Sequence, residues 1–374
     1  MSDPADLPEP DRIEGAPHPR DTPRLFGQAE AEAGFLSAYT GGRLHHGWLI
    51  TGPRGVGKAT LAWRIARFLL ATPEDDGGGL FGAPPPPETL DISEDHPVAA
   101  RMRAGSEPAL LRLTRPVDEK TGRVGQQINV DSVRRVKHFL QMSQADGGRR
   151  VIIVDAADEM NVQAANALLK LLEEPPARTV LLLVCHRPSA ILPTIRSRCR
   201  ELRLTPLAPY EIAAALEQAG IATEGAEEAL AALAAGSVGE AVRLAQMGGV
   251  EMYRDLLALF HDLPRLDRGR ALALADGAAA RGAEEKRALL VALLDLLMMR
   301  IARTGATGLP PEPQAARGEG ELLLRLAPNP HAARRWAEAA QSIGGRVQHG
   351  LSVNLDPAAL ILDTVFKIQE TAAG

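Results

Sequence analysis

The sequence predicts an α/β fold, a parallel sheet flanked by helices, followed by a long all-helical half. Three observations carry this. The runs Trp48-Leu49-Ile50, Val151-Ile152-Ile153-Val154 and Val180-Leu181-Leu182-Leu183-Val184 are continuous apolar stretches of strand length, the pattern of strands covered on both faces. Helix-patterned segments separate them. Beyond Thr205-Pro206 the texture turns Ala- and Leu-rich and stays so to the end.

Taken in order, residues 1–22 mix Pro, Asp and Glu with few large apolar side chains. Such a composition buries too little surface to offset the entropy of ordering, so a disordered tail is expected. Residues 23–205 form the α/β domain. Within it the stretch Thr72–Glu88, with Gly77-Gly78-Gly79 and Pro84–Pro87, reads as a mobile loop. The helical half divides near Gly248-Gly249 into a small unit over 206–248 and a larger one over 249–374. Its most apolar neighbourhood, Ala288–Met299, contains Asp295 and falls short of the roughly 18–20 residues that span a bilayer. It reads as a buried core helix, and no membrane role is expected.

Length and composition bound the function. At 374 residues the chain suits two or three domains. A net charge of −5 argues against a surface devoted to nucleic acid, which needs clustered Lys and Arg. Aromatic residues make up 3% of the chain, which also disfavours base-stacking platforms. The two cysteines, Cys185 and Cys199, supply neither a disulfide framework nor a four-cysteine zinc site. No zinc is expected, and a reducing, cytoplasmic setting is. The N-terminus is acidic and proline-rich where a signal peptide is basic and then apolar.

The chemistry-bearing motif is Gly52-Pro53-Arg54-Gly55-Val56-Gly57-Lys58, which follows a predicted strand and opens a predicted helix. Glycines turn backbone N–H groups toward phosphates, and Lys58 adds a point charge at the helix N-terminus. Gly52, Gly55, Gly57 and Lys58 are therefore nucleotide-site candidates, with Asp155 at the end of the acidic strand as their partner. Two positions are defective. Ala59 stands where a Ser or Thr hydroxyl holds Mg2+, and Thr60 lies about 100° further round the helix. Ala156 stands where a carboxylate positions the attacking water, and Asp158 and Glu159 read as caps of a helix beginning near Asn161. Weak ATP binding without turnover is the expectation, with no metal site.

The helix Asn161–Glu174, followed by Pro175-Pro176, resembles the corresponding helix of bacterial clamp loader subunits of the AAA+ family. Ile195-Arg196-Ser197-Arg198-Cys199 matches the same family, as do Arg43-Leu44-His45-His46, the segment Gln126–Asp131 with Arg134, and Gly236-Ser237-Val238-Gly239. The resemblance is strong over about residues 24–245 and loose beyond, where it rests on Asn354-Leu355-Asp356-Pro357 before a helix. It implies an AAA+ core, a small helical lid and an all-α collar. It also implies a five-subunit ring in which Arg198 reaches the γ-phosphate held by the adjoining subunit. Such an arginine finger stabilises charge on the transferred phosphoryl group and is worth roughly 10³–10⁵ in rate in related hydrolases.

Against the family pattern, Cys185 and Gly239 replace polar groups that sense the γ-phosphate, and the zinc module is missing. His96 then reads as a loop or capping residue, and Cys199 as a packing residue. A finger kept beside a decayed site implies the loader's non-hydrolysing assembly subunit. Its implied partners are the gamma/tau and delta subunits, with the sliding clamp and primer-template DNA reached through the complex. Two other readings stand beside it: an ATP-hydrolysing motor subunit of the same loader, favoured by Lys58, Asp155 and Arg198, and a nucleotide-independent DNA-binding module, for which the arginines around Arg198 speak.

Overall fold

The computed structural model describes residues 8–72, 85–118, 120–141 and 148–374. They form two compact units, one built from the chain up to Gly220 together with Gly236–Gly239, the other from Ile221–Ala235 and Glu240–Gly374. Most of the loop expected over Thr72–Glu88 lies outside the described residues.

The first unit runs α1 (Ala29–Thr40), β1 (Gly47–Thr51), α2 (Lys58–Ala71), α3 (Pro97–Arg103), β2 (Leu110–Leu113), α4 (Val130–Gln141), β3 (Arg150–Asp155), α5 (Val162–Glu173), β4 (Thr179–Val184), α6 (Pro193–Arg196), β5 (Arg200–Arg203) and α7 (Pro209–Gln218). Its five strands pair in parallel in the order β2-β3-β4-β1-β5. The expected α/β core is therefore present. β1 and β4 are buried along their whole length and β3 through its interior, which is why their sequences are unbroken apolar runs.

Successive side chains of a strand point to opposite faces. On one face Leu49, Ile152, Val154, Leu181 and Leu183 pack with Val136 and Phe139 of α4 and Leu168 and Leu172 of α5. On the other, Trp48 lies 4.9 Å from Phe35 of α1, ring centre to ring centre, and α2 packs across β1, β3 and β4. The edge strands differ. β5 buries only Leu202 and β2 only Leu113, so neither shows an apolar run in the sequence.

The expected disorder of residues 1–22 does not extend to the described part, 8–22. Ala16 and His18 are 8% and 1% exposed, and a short 3-10 turn spans Pro19–Asp21. His18 meets Trp63 of α2 edge-on at 5.4 Å between ring centres. Composition misleads here because the segment is ordered by partners on α2 and β2, not by its own apolar residues. Ion pairs and hydrogen bonds supply what its hydrophobicity lacks.

The second unit is helical: α8 (Glu227–Leu233), most of α9 (Val238–Gln246), α10 (Gly249–Phe260), α11 (Arg268–Ala279), α12 (Glu284–Thr307), α13 (Glu319–Leu326), α14 (Pro330–Ser352) and α15 (Pro357–Ala373). α12 packs on α14, and α11 on α15. The predicted core helix is α12, but it is buried on one side only. Leu289, Leu290, Leu293, Leu294, Leu297 and Met298 face inward, while Ala288, Ala292, Asp295 and Met299 form an exposed stripe at helical spacing. Asp356 caps α15, its carboxylate accepting from the Ala359 N–H at 2.9 Å. Inside this unit Glu319 is fully buried. Its carboxylate accepts from Tyr253 Oη at 2.6 Å, Arg300 Nε at 2.7 Å and Nη2 at 3.1 Å, and the Ala315 N–H at 2.7 Å. Among the described residues, no helix is long and apolar enough to cross a membrane.

Candidate functional site

Two groups of residues singled out in the sequence come to lie on opposite edges of the sheet. Residues paired across parallel strands share a level. Asp155 pairs with Val184, and Val184 with Ile50, so Asp155, Cys185 and the loop after Thr51 converge at the C-terminal edge. There an open α/β sheet keeps its ligand crevice. Trp48 pairs with Arg200, which puts Arg198 at the N-terminal edge.

The phosphate loop has the backbone its glycines were read for. Gly55 and Gly57 sit at φ of 74° and 95°, where a Cβ is strained, and Gly57 leads directly into α2. The cradle is nonetheless closed. A Cβ on Gly55 would lie 2.9 Å from Gly239 N and 3.1 Å from Gly239 Cα, with the Ser237 hydroxyl nearer still. The Gly239 N–H donates to Gly55 O at 3.3 Å. Lys58, 3% exposed, donates to Gly52 O at 2.8 Å and also to Pro53 O, spending on the loop's own carbonyls the hydrogen bonds a phosphate would receive. Burial lowers its pKa to about 8 against the opposing pull of Asp155. The residues are thus those of a triphosphate site by type, but this arrangement does not fit a triphosphate.

The acidic strand shows the matching condition. Desolvation, and then the neighbouring Asp11 carboxylate, push Asp155 up to about 7 despite Lys58. Ala156 follows it, 7% exposed and without a polar group. Asp158 and Glu159 are not the helix caps they were expected to be. Asn161 caps α5 itself, its side-chain oxygen accepting from the Ala164 N–H at 2.8 Å. Asp158 instead accepts from the His186 N–H at 2.9 Å and from Arg187 Nε at 3.3 Å. Glu159 pairs with Arg54 of the phosphate loop at 3.0 Å and with Arg115 at 3.1 Å. Asn161, directly before the helix, takes the cap, and the two acids are held by tertiary partners instead.

Cys185 is fully buried, and burial followed by the Asp158 charge pushes its thiol up to about 12. Burial alone does the same to Cys199. Its sulfur lies 3.3 Å from the Cβ position at Gly47, the packing role read for it. His96 is the cap of α3, its Nδ1 accepting from the Val98 N–H at 3.2 Å.

Arg198 lies in the turn between α6 and β5. Its Nη1 donates to Thr194 O at 3.0 Å, and its Nη2 stands 3.0 Å from Glu173 Oε1 at the end of α5. The side chain is 38% exposed. Two of the arginines near it in sequence are held by other partners. Arg187 is tied to Asp158 at the opposite edge of the sheet, and Arg200 lies over the Trp48 ring at 5.4 Å. From the level of Arg200 to Gly52 the chain climbs four residues of strand, about 13 Å at the usual rise.

A five-stranded parallel sheet carrying a phosphate loop between its first strand and the next helix, with an acidic residue ending a neighbouring strand, defines a protein with a P-loop α/β core. By comparison with known families, residues 27–208 match the family described as DNA polymerase III, delta subunit. Among individual relatives, the chain is 38% identical over 166 residues to DNA polymerase III subunit delta' of Pseudomonas aeruginosa, covering 44% of this chain and 45% of that protein. It is 32% identical over 212 residues to subunit delta' of Escherichia coli, covering 56% and 58%. It is 28% identical over 295 residues to subunit tau of Escherichia coli, covering 73% and 42%. The chain thus spans about half the length of the curated relatives it matches.

Proposed function

We propose that this chain serves as a delta-prime subunit of the replicative clamp loader, presenting Arg198 to a neighbour's bound ATP while turning over little or no ATP itself. The observation that carries the reading is the placement of Arg198 on the edge of the sheet opposite the chain's own phosphate loop. A guanidinium there has no route to a phosphate on Lys58 of the same chain. Across a ring interface it is free to act in trans, exchanging an exposed carboxylate partner for phosphoryl oxygens. The family assignment and the delta' relatives support the same reading.

Ala59 and Ala156 remove metal ligation and water positioning from the chain's own site, so any ATP binding there is weak and without consequence for turnover. The partners that follow are gamma/tau and delta subunits in the cytoplasm, with the clamp and primer-template DNA engaged through the assembled loader. A second reading, the ATP-hydrolysing motor subunit, draws on the long match to tau, and the same two alanines oppose it. The deciding experiment is the clamp- and DNA-stimulated ATPase of a reconstituted loader in which only this subunit carries Arg198→Ala. Lost turnover in a fully assembled complex supports the finger, and unchanged turnover removes it.

A further inference from the structure

We propose that Glu9–His18 is the resident occupant of this chain's own nucleotide site, filling with protein the space a nucleoside triphosphate and its metal would take. This segment precedes the residues matched by the family, and every contact below lies within the first unit.

The segment reaches the strand beside the acidic strand and the Gly236–Gly239 turn that covers the phosphate loop. At the acidic strand, the Asp11 carboxylate, its side chain 1% exposed, is gripped by Arg112 Nη1 at 2.9 and 3.0 Å and lies 3.2 Å from His18 Nε2. Arg112 is on β2 opposite Ile153 of β3, two residues before Asp155. Asp11 is also close enough to help hold Asp155 in its protonated form. At the phosphate loop, Ile13 Cδ1 lies 2.7 Å from the Cβ position of Gly239, and Gly239 Cα is 3.1 Å from the Cβ position of Gly55. The Gly236–Gly239 turn thus lies directly on the loop, and Ile13, 43% exposed, lies against the outer side of that turn.

The segment is anchored as an ordered element. Arg67 and Arg64 of α2 donate to Arg20 O and Pro23 O, each at 2.6 Å. Arg20 pairs with Glu9 at 2.9 Å. His18 is buried against Trp63, and Arg12 Nε donates to Ala16 O at 2.9 Å. The chemistry is that of an anionic ligand: a carboxylate on an arginine beside the acidic strand, with an apolar side chain against the turn that covers a loop whose lysine is already satisfied. An occupied site lowers the apparent affinity of a competitor by the fraction of time it stands open.

The inference rests on the reading of this site as non-hydrolysing and is independent of Arg198. Its test uses the full chain, native and Asp11→Ala/Ile13→Ala, with fold checked by circular dichroism. Amide exchange of 9–18 and 52–58 is measured alongside titration with a fluorescent ATP analogue and Mg2+. In the native chain both segments are expected to be protected and the analogue to bind weakly. The double variant is expected to lose protection in both and to bind the analogue at least tenfold more tightly, the gain for a segment seated about nine-tenths of the time.

Unprotected 9–18 amides in the native chain would overturn the proposal. So would analogue binding that is no tighter once protection is lost. Failure of the underlying reading shows differently, as ATP turnover by the native chain alone.

Discussion

Arg198 Nη2 stands 3.0 Å from Glu173 Oε1, both side chains being more than a third exposed. A pair this open contributes about 0–1 kcal/mol. The arginine is thus held in place without being committed, and Glu173 leaves it able to exchange partners at low cost. Arg198→Ala is expected to leave the fold and the docking of the subunit intact while hydrolysis at the neighbouring site falls, toward the roughly 10³-fold lower end for arginine fingers. On the proposed ring the whole complex will show a smaller loss, because ATP sites completed by other subunits are left untouched. Arg198→Lys should rescue poorly for want of a planar fork, and Glu173→Gln should leave turnover within about twofold. The measurement is stimulated ATPase with assembly checked by sizing.

The isolated chain should release no phosphate from ATP above background. Ala59→Ser with Ala156→Glu returns the two missing groups, and combining them with the Asp11→Ala/Ile13→Ala pair tests whether the cradle must also be vacated. Turnover by the unmodified chain would move it to the motor class.

Asp155 makes stability depend on pH in a direction opposite to an ordinary paired carboxylate. Its pKa is about 7 in the fold against 3.8 for the free side chain, so between those values the folded chain holds a proton that the unfolded chain releases. Stability from this group is complete below about pH 4 and is lost as pH rises through 7. Asp155→Asn should therefore be more stable than the native chain at pH 8, by about 1–3 kcal/mol, and gain little at pH 4. Urea unfolding at the two pH values checks the sign.

Glu319 is a buried carboxylate whose oxygens are satisfied by Tyr253, Arg300 and the Ala315 N–H. Glu319→Ala strands the Arg300 charge inside the helical unit and should cost about 3–5 kcal/mol. Tyr253→Phe removes one hydrogen bond and should cost about 1–3 kcal/mol. Thermal unfolding of the two variants is expected to rank them in that order.

The central strands were legible because β1, β3 and β4 are buried on both faces and so carry unbroken apolar runs. β2 and β5 were not, each burying a single leucine at an edge of the sheet. The phosphate loop, Asp155 and Arg198 could be named from local pattern, since each sits in a short motif whose spacing implies its neighbours. The N-terminal segment could not. Asp11 and His18 meet Arg112 across 101 and 94 residues of sequence, and their order comes from ionic contacts that hydrophobicity does not record. His18 beside Trp63 and an acid two turns of chain earlier give no local period to read. The exposed stripe of α12 was hidden in the same way, because Ala288 and Ala292 count as apolar whether or not anything covers them.

The two cysteines have a practical corollary. Thiol-directed dyes and spin labels attack the thiolate, and both native sulfurs are desolvated and reluctant to ionise. A cysteine introduced at an exposed position such as Val162 or Tyr210 will consequently outcompete them near neutral pH. The protein can carry a reporter at a chosen place with its native cysteines left in, so its motions become observable without first re-engineering the core.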